Sequence, residues 1–270
     1  MSSIPPAHDA APEGARPRKR RYPVQVRRVQ RLTPRMVRVT FAGEELVSFG
    51  RPGPASHIKL IFSADAPGAG ESAEVAGRPT MRTYTPRRFD ADAREIDVDF
   101  VIHGEGPASA WAEQAAVGQR LTIAGPGRSY AVDSAADWYV LAGDDTAIPA
   151  IGTILESLPS SVKALVLLEV ADGAEEHAAQ VRSANTEIRW LQRGPDARNA
   201  GRELEAAVRR IELPAGRGRI YVACESDAMR RIRRHLLLER EFPRDHLVTR
   251  GYWRLGETDH PDRDYGEDIE

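Results

Sequence analysis

The sequence predicts two dissimilar halves, an N-terminal antiparallel β-barrel followed by a parallel α/β sandwich. Two observations carry this prediction. From Tyr22 to about Asp133, short runs rich in β-branched and aromatic residues are punctuated by Pro and Gly, the rhythm of a small antiparallel barrel. After Asp133, continuous apolar strands alternate with helical segments, as in a parallel sheet covered on both faces. A chain of 270 residues has room for both.

In the first half, Val24, Val26 and Val29, then Met36, Val37, Val39 and Phe41, then Ile58, Leu60 and Phe62 mark successive strands. The clearest strand covers 95–103, where Ile96, Val98, Phe100 and Ile102 face one way and Asp97 and Asp99 the other. A helix over 108–116 is entered through Gly106-Pro107, and 120–124 forms a further strand. So many short strands predict a closed barrel. In the second half, strands are expected over 138–142, 164–170, 187–191, 219–223 and 247–252. Helices are expected over 147–158, 203–210 and, capped by Asp227, up to 241. Residues 1–20 read as a disordered tail ending in the basic run 16–21, and 257–270 as an acidic tail. The domain limits are accordingly 21–133 and 134–256.

Thirty-eight basic residues against 40 acidic ones leave a net charge of −2, which argues against a general nucleic-acid binder. The single cysteine, Cys224, excludes an intrachain disulfide and an iron–sulfur cluster held by cysteines. Seven histidines lie without the spacing of a metal site, so no protein metal site is expected. An electron-handling role would therefore need a bound organic cofactor. No apolar run of about 18 residues suggests a membrane span. Residues 1–21 lack the apolar core of a signal peptide. A cytoplasmic monomer is the expectation.

Two motifs carry chemistry. The first is Arg82-Thr83-Tyr84-Thr85-Pro86-Arg87. A flavin dinucleotide needs a cation for its pyrophosphate, an aromatic surface for its ring system and small donors along the ring edge. Arg, Tyr and Thr supply these in one short stretch, although an ordinary exposed strand would explain the same string. The second is Asp99-Phe100-Val101-Ile102-His103-Gly104-Glu105-Gly106-Pro107-Ala108-Ser109-Ala110-Trp111-Ala112. Here a strand ends, a glycine turn follows and a helix begins at Ala108-Ser109, an arrangement that presents free backbone N–H groups to phosphate. A capped helix with Trp111 in the core would explain it equally.

In this order and spacing, the two motifs resemble the siderophore-interacting proteins of the ferredoxin-reductase superfamily. The resemblance continues through Leu141-Ala142-Gly143-Asp144-Asp145-Thr146-Ala147-Ile148-Pro149-Ala150-Ile151 and ends at Arg250-Gly251-Tyr252-Trp253-Arg254-Leu255-Gly256. It implies an FAD-dependent ferric-siderophore reductase, with electrons from NAD(P)H or a ferredoxin and a ferric siderophore as substrate. It further implies that Arg82, Thr83, Tyr84 and Thr85 cradle the flavin. Asp99, Phe100, Val101, Ile102, His103, Ala108 and Ser109 would contact its ring, ribityl chain and pyrophosphate, and Thr146 and Ala147 would close over it. Lys59, Arg128, Arg250 and Arg254 are the basic residues expected to receive the anionic substrate. No acid–base residue or nucleophile is implied.

One departure bears on the electron donor. The family commonly carries Gly-Asp-Glu-Thr where this chain has Gly143-Asp144-Asp145-Thr146, and related reductases use a glycine-rich phosphate turn there. Two carboxylates at such a turn predict weak use of NADPH, or a preference for NADH or a ferredoxin. Cys224-Glu225-Ser226 follows a strand at the sheet's carboxyl end, where ligands bind in open α/β sheets, but a small buried residue before a helix cap accounts for it. The run 230–234 reads as a solvated helix face. Two other functions remain open at this point: an NAD(P)H:flavin or quinone reductase, and a non-catalytic flavin-carrying siderophore-binding protein.

Overall fold

The computed structural model describes residues 20–62, 79–103, 106–178, 185–257, 260–261 and 264–266. Most of the N-terminal basic tail, and Gly104-Glu105 of the second motif, lie outside the described residues.

The first half folds as one antiparallel sheet of seven strands. They are β1 (Arg21–Thr33), β2 (Met36–Ala42), β3 (Ile58–Phe62), β4 (Thr80–Tyr84), β5 (Pro86–Asp90), β6 (Glu95–Val101) and β7 (Arg120–Ala124). Their order is β4-β3-β7-β1-β2-β6-β5. The expected closed barrel is in fact a half-barrel: among the described residues no ladder joins its two end strands, β4 and β5, which follow each other through Thr85. Pro86 opens β5 and has no N–H to donate, which suits an edge rather than a closing seam. The barrel core packs Phe41, Phe62 and Phe100 around Trp111 of helix α1 (Pro107–Glu113), with ring centroids 5.5–5.9 Å apart. Asp97 and Asp99 leave the opposite face of β6 yet are buried, because each bonds the residue facing it on β2. Thr40 donates to Asp97 at 2.6 Å, and Arg38 grips Asp99 through two bonds of 2.6 and 2.8 Å.

The second half is a five-stranded parallel sheet of order β10-β9-β8-β11-β12. Its strands are β8 (Trp138–Asp144), β9 (Lys163–Val170), β10 (Thr186–Gln192), β11 (Gly218–Glu225) and β12 (Leu247–Trp253). Helices α2 (Ile148–Leu155), α3 (Arg202–Arg210) and α4 (Ser226–Arg234) cover it. The helix expected to run to 241 widens after α4 into a π-helical turn, His235–Glu239. The buried carboxylate of Glu169 in β9 accepts from the backbone N–H groups of Gly201 (2.6 Å) and Leu204 (3.0 Å), capping α3 from inside the sheet.

The chain winds outward from β8 through β9 to β10, then returns to place β11 on the other side of β8. Such a reversal opens a crevice at the carboxyl ends of β8 and β11. The two halves are joined over a wide front. Glu175 accepts from Arg35 N at 3.0 Å, Thr153 Oγ1 accepts from Ala55 N at 2.9 Å, and Arg87 pairs with Glu156 at 2.7 Å. Met36 of the barrel packs into the core of the second half.

Candidate functional site

Where the half-barrel meets the carboxyl ends of the parallel strands, the structure forms a cleft of about 2630 Å³. That is several times the size of an ordinary small-molecule pocket. The barrel supplies one wall. Arg82, Thr83, Tyr84 and Thr85 all line it; β4 is an end strand, and among the described residues one of its edges carries no partner strand. Arg82 and Tyr84 are half-buried and Thr83 is exposed, the alternation expected of a strand. The Tyr84 ring leans on Phe100 at 4.5 Å, and burial pushes its hydroxyl pKa well up, so it stays protonated.

Asp99, Val101, Ile102, His103, Ala108 and Ser109 continue this wall. Ser109 Oγ accepts from His103 N at 3.0 Å, tying the end of β6 to the first turn of α1. Among the described residues no side chain caps that turn. The Asp99 carboxylate is committed to Arg38, so it serves as a buried strut. Phe100 departs from expectation: it is fully buried among Tyr84 and Trp111, and its side chain supports the wall from behind.

The second half supplies the facing wall. Thr146 lines the cleft, but Ala147 does not: it is fully buried in the core under α2, where the 3-10 turn Asp145–Ala147 turns its methyl inward. Asp144 is buried below that turn. It accepts from Thr146 N (3.0 Å), Glu225 N (2.9 Å) and Trp253 Nε1 (2.8 Å). Burial, with the neighbouring Asp145, pushes its carboxyl up to about 7, against the pull of the Thr146 and Trp253 bonds. Asp145 is also buried and forms a 2.9 Å ion pair with Arg193. The premise of two bare carboxylates at a phosphate turn is therefore corrected: one faces inward and the other is neutralised.

All four basic candidates, Lys59, Arg128, Arg250 and Arg254, reach the same cleft. They are unequal, because Arg254 already pairs with Asp227 (3.2 Å) and Glu257 (3.5 Å). Among the described residues, nine Lys and Arg side chains line the cleft against three carboxylates, in a chain whose net charge is −2. Each of the three, Asp99, Asp145 and Glu257, is paired with a cation. Such a concentration of positive charge favours anionic ligands. The residues present fit FAD on the same grounds. Arginines and hydroxyls suit a pyrophosphate, the wall offers an aromatic ring, and Arg193 Nη1 is a buried donor with no acceptor among the described residues. Among the described residues no group of three or more His, Cys, Asp or Glu is arranged to hold a metal ion.

Residues 25–130 match the family described as "Siderophore-interacting FAD-binding domain", and residues 136–256 match "Siderophore-interacting protein". The chain belongs to the siderophore-interacting protein family. A relative in Vibrio cholerae serotype O1, ferric vibriobactin reductase ViuB, is 35% identical over 235 residues, covering 83% of this chain and 86% of that protein. The NADPH-dependent ferric-chelate reductase of Escherichia coli is 31% identical over 256 residues, covering 86% and 97%. The crystal structure of a siderophore utilization protein from T. fusca superposes with a TM-score of 0.79 at 36% identity, covering 90% of this chain and 96% of that one.

Three features of this site escaped the sequence. Arg20 and Arg21, assigned to a tail and its edge, stand at the cleft. Ala124 of β7 pairs with both Arg21 on β1 and Lys59 on β3, which sets Arg21 and Lys59 two strands apart on one face, about 10 Å between backbones. A basic residue beginning a strand was the available signal. Arg193 had none, lying just beyond β10 with no motif around it. Asp264, within the stretch expected as an acidic tail, is buried and bonded to Arg230 of α4 and Gly251 of β12.

Proposed function

We propose that this protein is an FAD-dependent ferric-siderophore reductase that frees iron from its chelate by reducing Fe(III) to Fe(II). The observation that carries the reading is the cleft: one continuous, strongly cationic space bounded by the Arg82–Thr85 stretch on one side and Thr146 and Trp253 on the other. Its relatives are named as reductases of ferric vibriobactin and of ferric chelates. In this reading residues 21–133 hold FAD and residues 134–256 complete the cleft and receive the electron donor.

Arg82 neutralises the cofactor's pyrophosphate, Tyr84 offers its ring, and Thr83, Thr85 and Ser109 offer hydroxyls. Val101, Ile102, His103, Ala108 and Thr146 shape the space around it, while Phe100 and Ala147 support from the core. Bound FAD would supply electrons singly to Fe(III). Lys59, Arg128 and Arg250 draw in an anionic ferric chelate. Hard oxygen donors hold the ferrous ion far more weakly than the ferric ion, so reduction releases the metal and leaves the ligand intact. The reading takes the reaction to be cytoplasmic and complete within one chain. NADPH is the favoured donor, because pairing of Asp145 with Arg193 removes the charge that argued against it and because the E. coli relative is named for NADPH. A ferredoxin is the alternative donor.

The test is anaerobic. FAD-loaded protein is reduced with NADPH, mixed with a ferric siderophore, and followed by flavin absorbance with a ferrous-specific dye. Prompt reoxidation with equivalent Fe(II) formation is expected. Reduced flavin that stays reduced beside a stable ferric complex would make the protein a carrier.

A further inference from the structure

Arg250 does not project from β12 as a loose surface cation. Its Nη1 donates to the carbonyl of Thr249 at 2.8 Å, and its guanidinium carbon lies 4.3 Å from the centroid of the Tyr265 ring. Both residues line the cleft. Tyr265 is itself anchored, since Thr249 Oγ1 donates to its carbonyl at 2.6 Å.

The neighbouring Asp264 anchors the segment a second time. Its carboxylate accepts from the Ser226 hydroxyl, from Arg230 at 2.7 Å and from His260 at 2.9 Å, while its carbonyl accepts from Gly251 N at 2.9 Å. A Cβ on Gly251 would stand 2.5 Å from the Asp264 carboxylate, so a glycine is required at that position for the segment to seat. The strap is thus built into the fold at a strand adjoining the cleft, and the Tyr265 side chain lies against a cation of the cleft instead of entering the core.

We propose that Tyr265 is a positioning residue for Arg250, and that through this contact the C-terminal strap tunes the cleft for anionic ferric chelates. The inference rests on the reading that the cleft receives such chelates. A free arginine loses rotamer freedom when it grips an anion, whereas one already held over an aromatic ring loses less. Cation–π attraction to the ring face holds the guanidinium without neutralising it, which a carboxylate partner would do. Arg254 shows the contrast on the same strand end, being paired with Asp227 and Glu257.

The experiment measures binding of two redox-inert probes, a trianionic gallium(III) tris-catecholate and a neutral gallium(III) tris-hydroxamate, to the FAD-loaded full chain by calorimetry. Tyr265→Ala should weaken the trianionic probe by about fivefold and leave the neutral one unchanged. Tyr265→Phe, which keeps the ring, should bind both as the parent protein does. In an Arg250→Gln background, Tyr265→Ala should add no further loss. FAD content reports folding, and the Phe variant guards against a misfolded Ala variant. Equal losses for both probes, failure of Phe to rescue, or a full additional loss without Arg250 would each overturn the proposal. A parent protein that reduces ferric chelates while Tyr265→Ala binds both probes normally would remove the positioning role alone. Charge-selective loss in Tyr265→Ala, in a protein that never turns over, would keep the positioning role and remove the reductase reading.

Discussion

Trp253 donates its indole N–H to Asp144 Oδ2 at 2.8 Å, joining the carboxyl end of β12 to that of β8 across β11. The same oxygen accepts from Glu225 N, so one buried carboxylate ties three adjacent strand ends together at the crevice where the strand order reverses. Trp253 owes its place in the cleft wall to that bond.

Asp144→Asn puts an NH₂ donor among groups that are themselves donors. Leaving buried partners unsatisfied should cost about 1–3 kcal/mol, read as a lower urea midpoint with an unchanged slope at a pH above about 8, where a carboxyl pushed up to about 7 is ionised. A red-shifted tryptophan emission should accompany it as Trp253 loses its anchor. A stability equal to that of the parent protein would show that the strand ends hold without the carboxylate.

Arg82→Ala should weaken FAD retention. Losing a charge-assisted contact to a pyrophosphate costs about 1.5–3 kcal/mol, roughly 10- to 150-fold in affinity. Arg82 is half-buried on β4, an end strand, so the fold should survive its removal. Titrating the apoprotein with FAD and following flavin fluorescence measures this directly; normal affinity in a folded variant would take Arg82 out of the site.

The register that aligns Arg21 with Lys59 predicts a shared cationic rim. Arg21→Gln with Lys59→Gln should slow oxidation of the reduced protein by an anionic ferric chelate by about tenfold or more at low salt, and much less near 0.1 M, where screening acts within about 10 Å. A neutral chelate should be little affected. Arg254→Gln should matter less, because that arginine already has carboxylate partners. Stopped-flow rates across a salt series decide it.

Acid should loosen the C-terminal strap. Burial works to raise the Asp264 carboxyl, but bonds from Ser226 and Arg230 outweigh it and hold the group below the usual carboxylate range. A carboxyl depressed in the folded state contributes stability that is present above its unfolded value, about 3.9, and is lost as pH falls through the lower folded value. Asp264→Asn should therefore cost about 2 kcal/mol at pH 7, and the gap to the parent protein should close as the pH is taken below about 4. Urea unfolding at the two pH values measures the gap; a difference that persists in acid would show that ionisation of Asp264 is not its source.

The order of a β-half followed by an α/β half was legible because both signals are local. Period-two alternation marked β6, and apolar runs marked β8, β9 and β11. The Arg82–Thr85 stretch was legible for the same reason, its four residues being consecutive, three on β4 and Thr85 just after it. Phe100 and Ala147 sit inside matching motifs, yet a motif records position along the chain and cannot say which face of a strand or turn meets the core. Asp99 lines the wall, but its partner Arg38 is 61 residues away on β2 and nothing near either residue announces the pair.

The family, the two kinds of sheet and the strand that lines the cleft could be read from the chain alone, because alternation, glycine turns and short motifs are written over a few consecutive residues. Only the tertiary structure decided which charges act together. Pairing of β1 and β3 with β7 brought Arg21 beside Lys59; the loop after β10 carried Arg193 to Asp145 and neutralised it; docking of the chain end on Gly251 and Ser226 laid Tyr265 against Arg250. These contacts join residues more than about a dozen positions apart, and their strength depends on burial and register, which exist only once both sheets have formed.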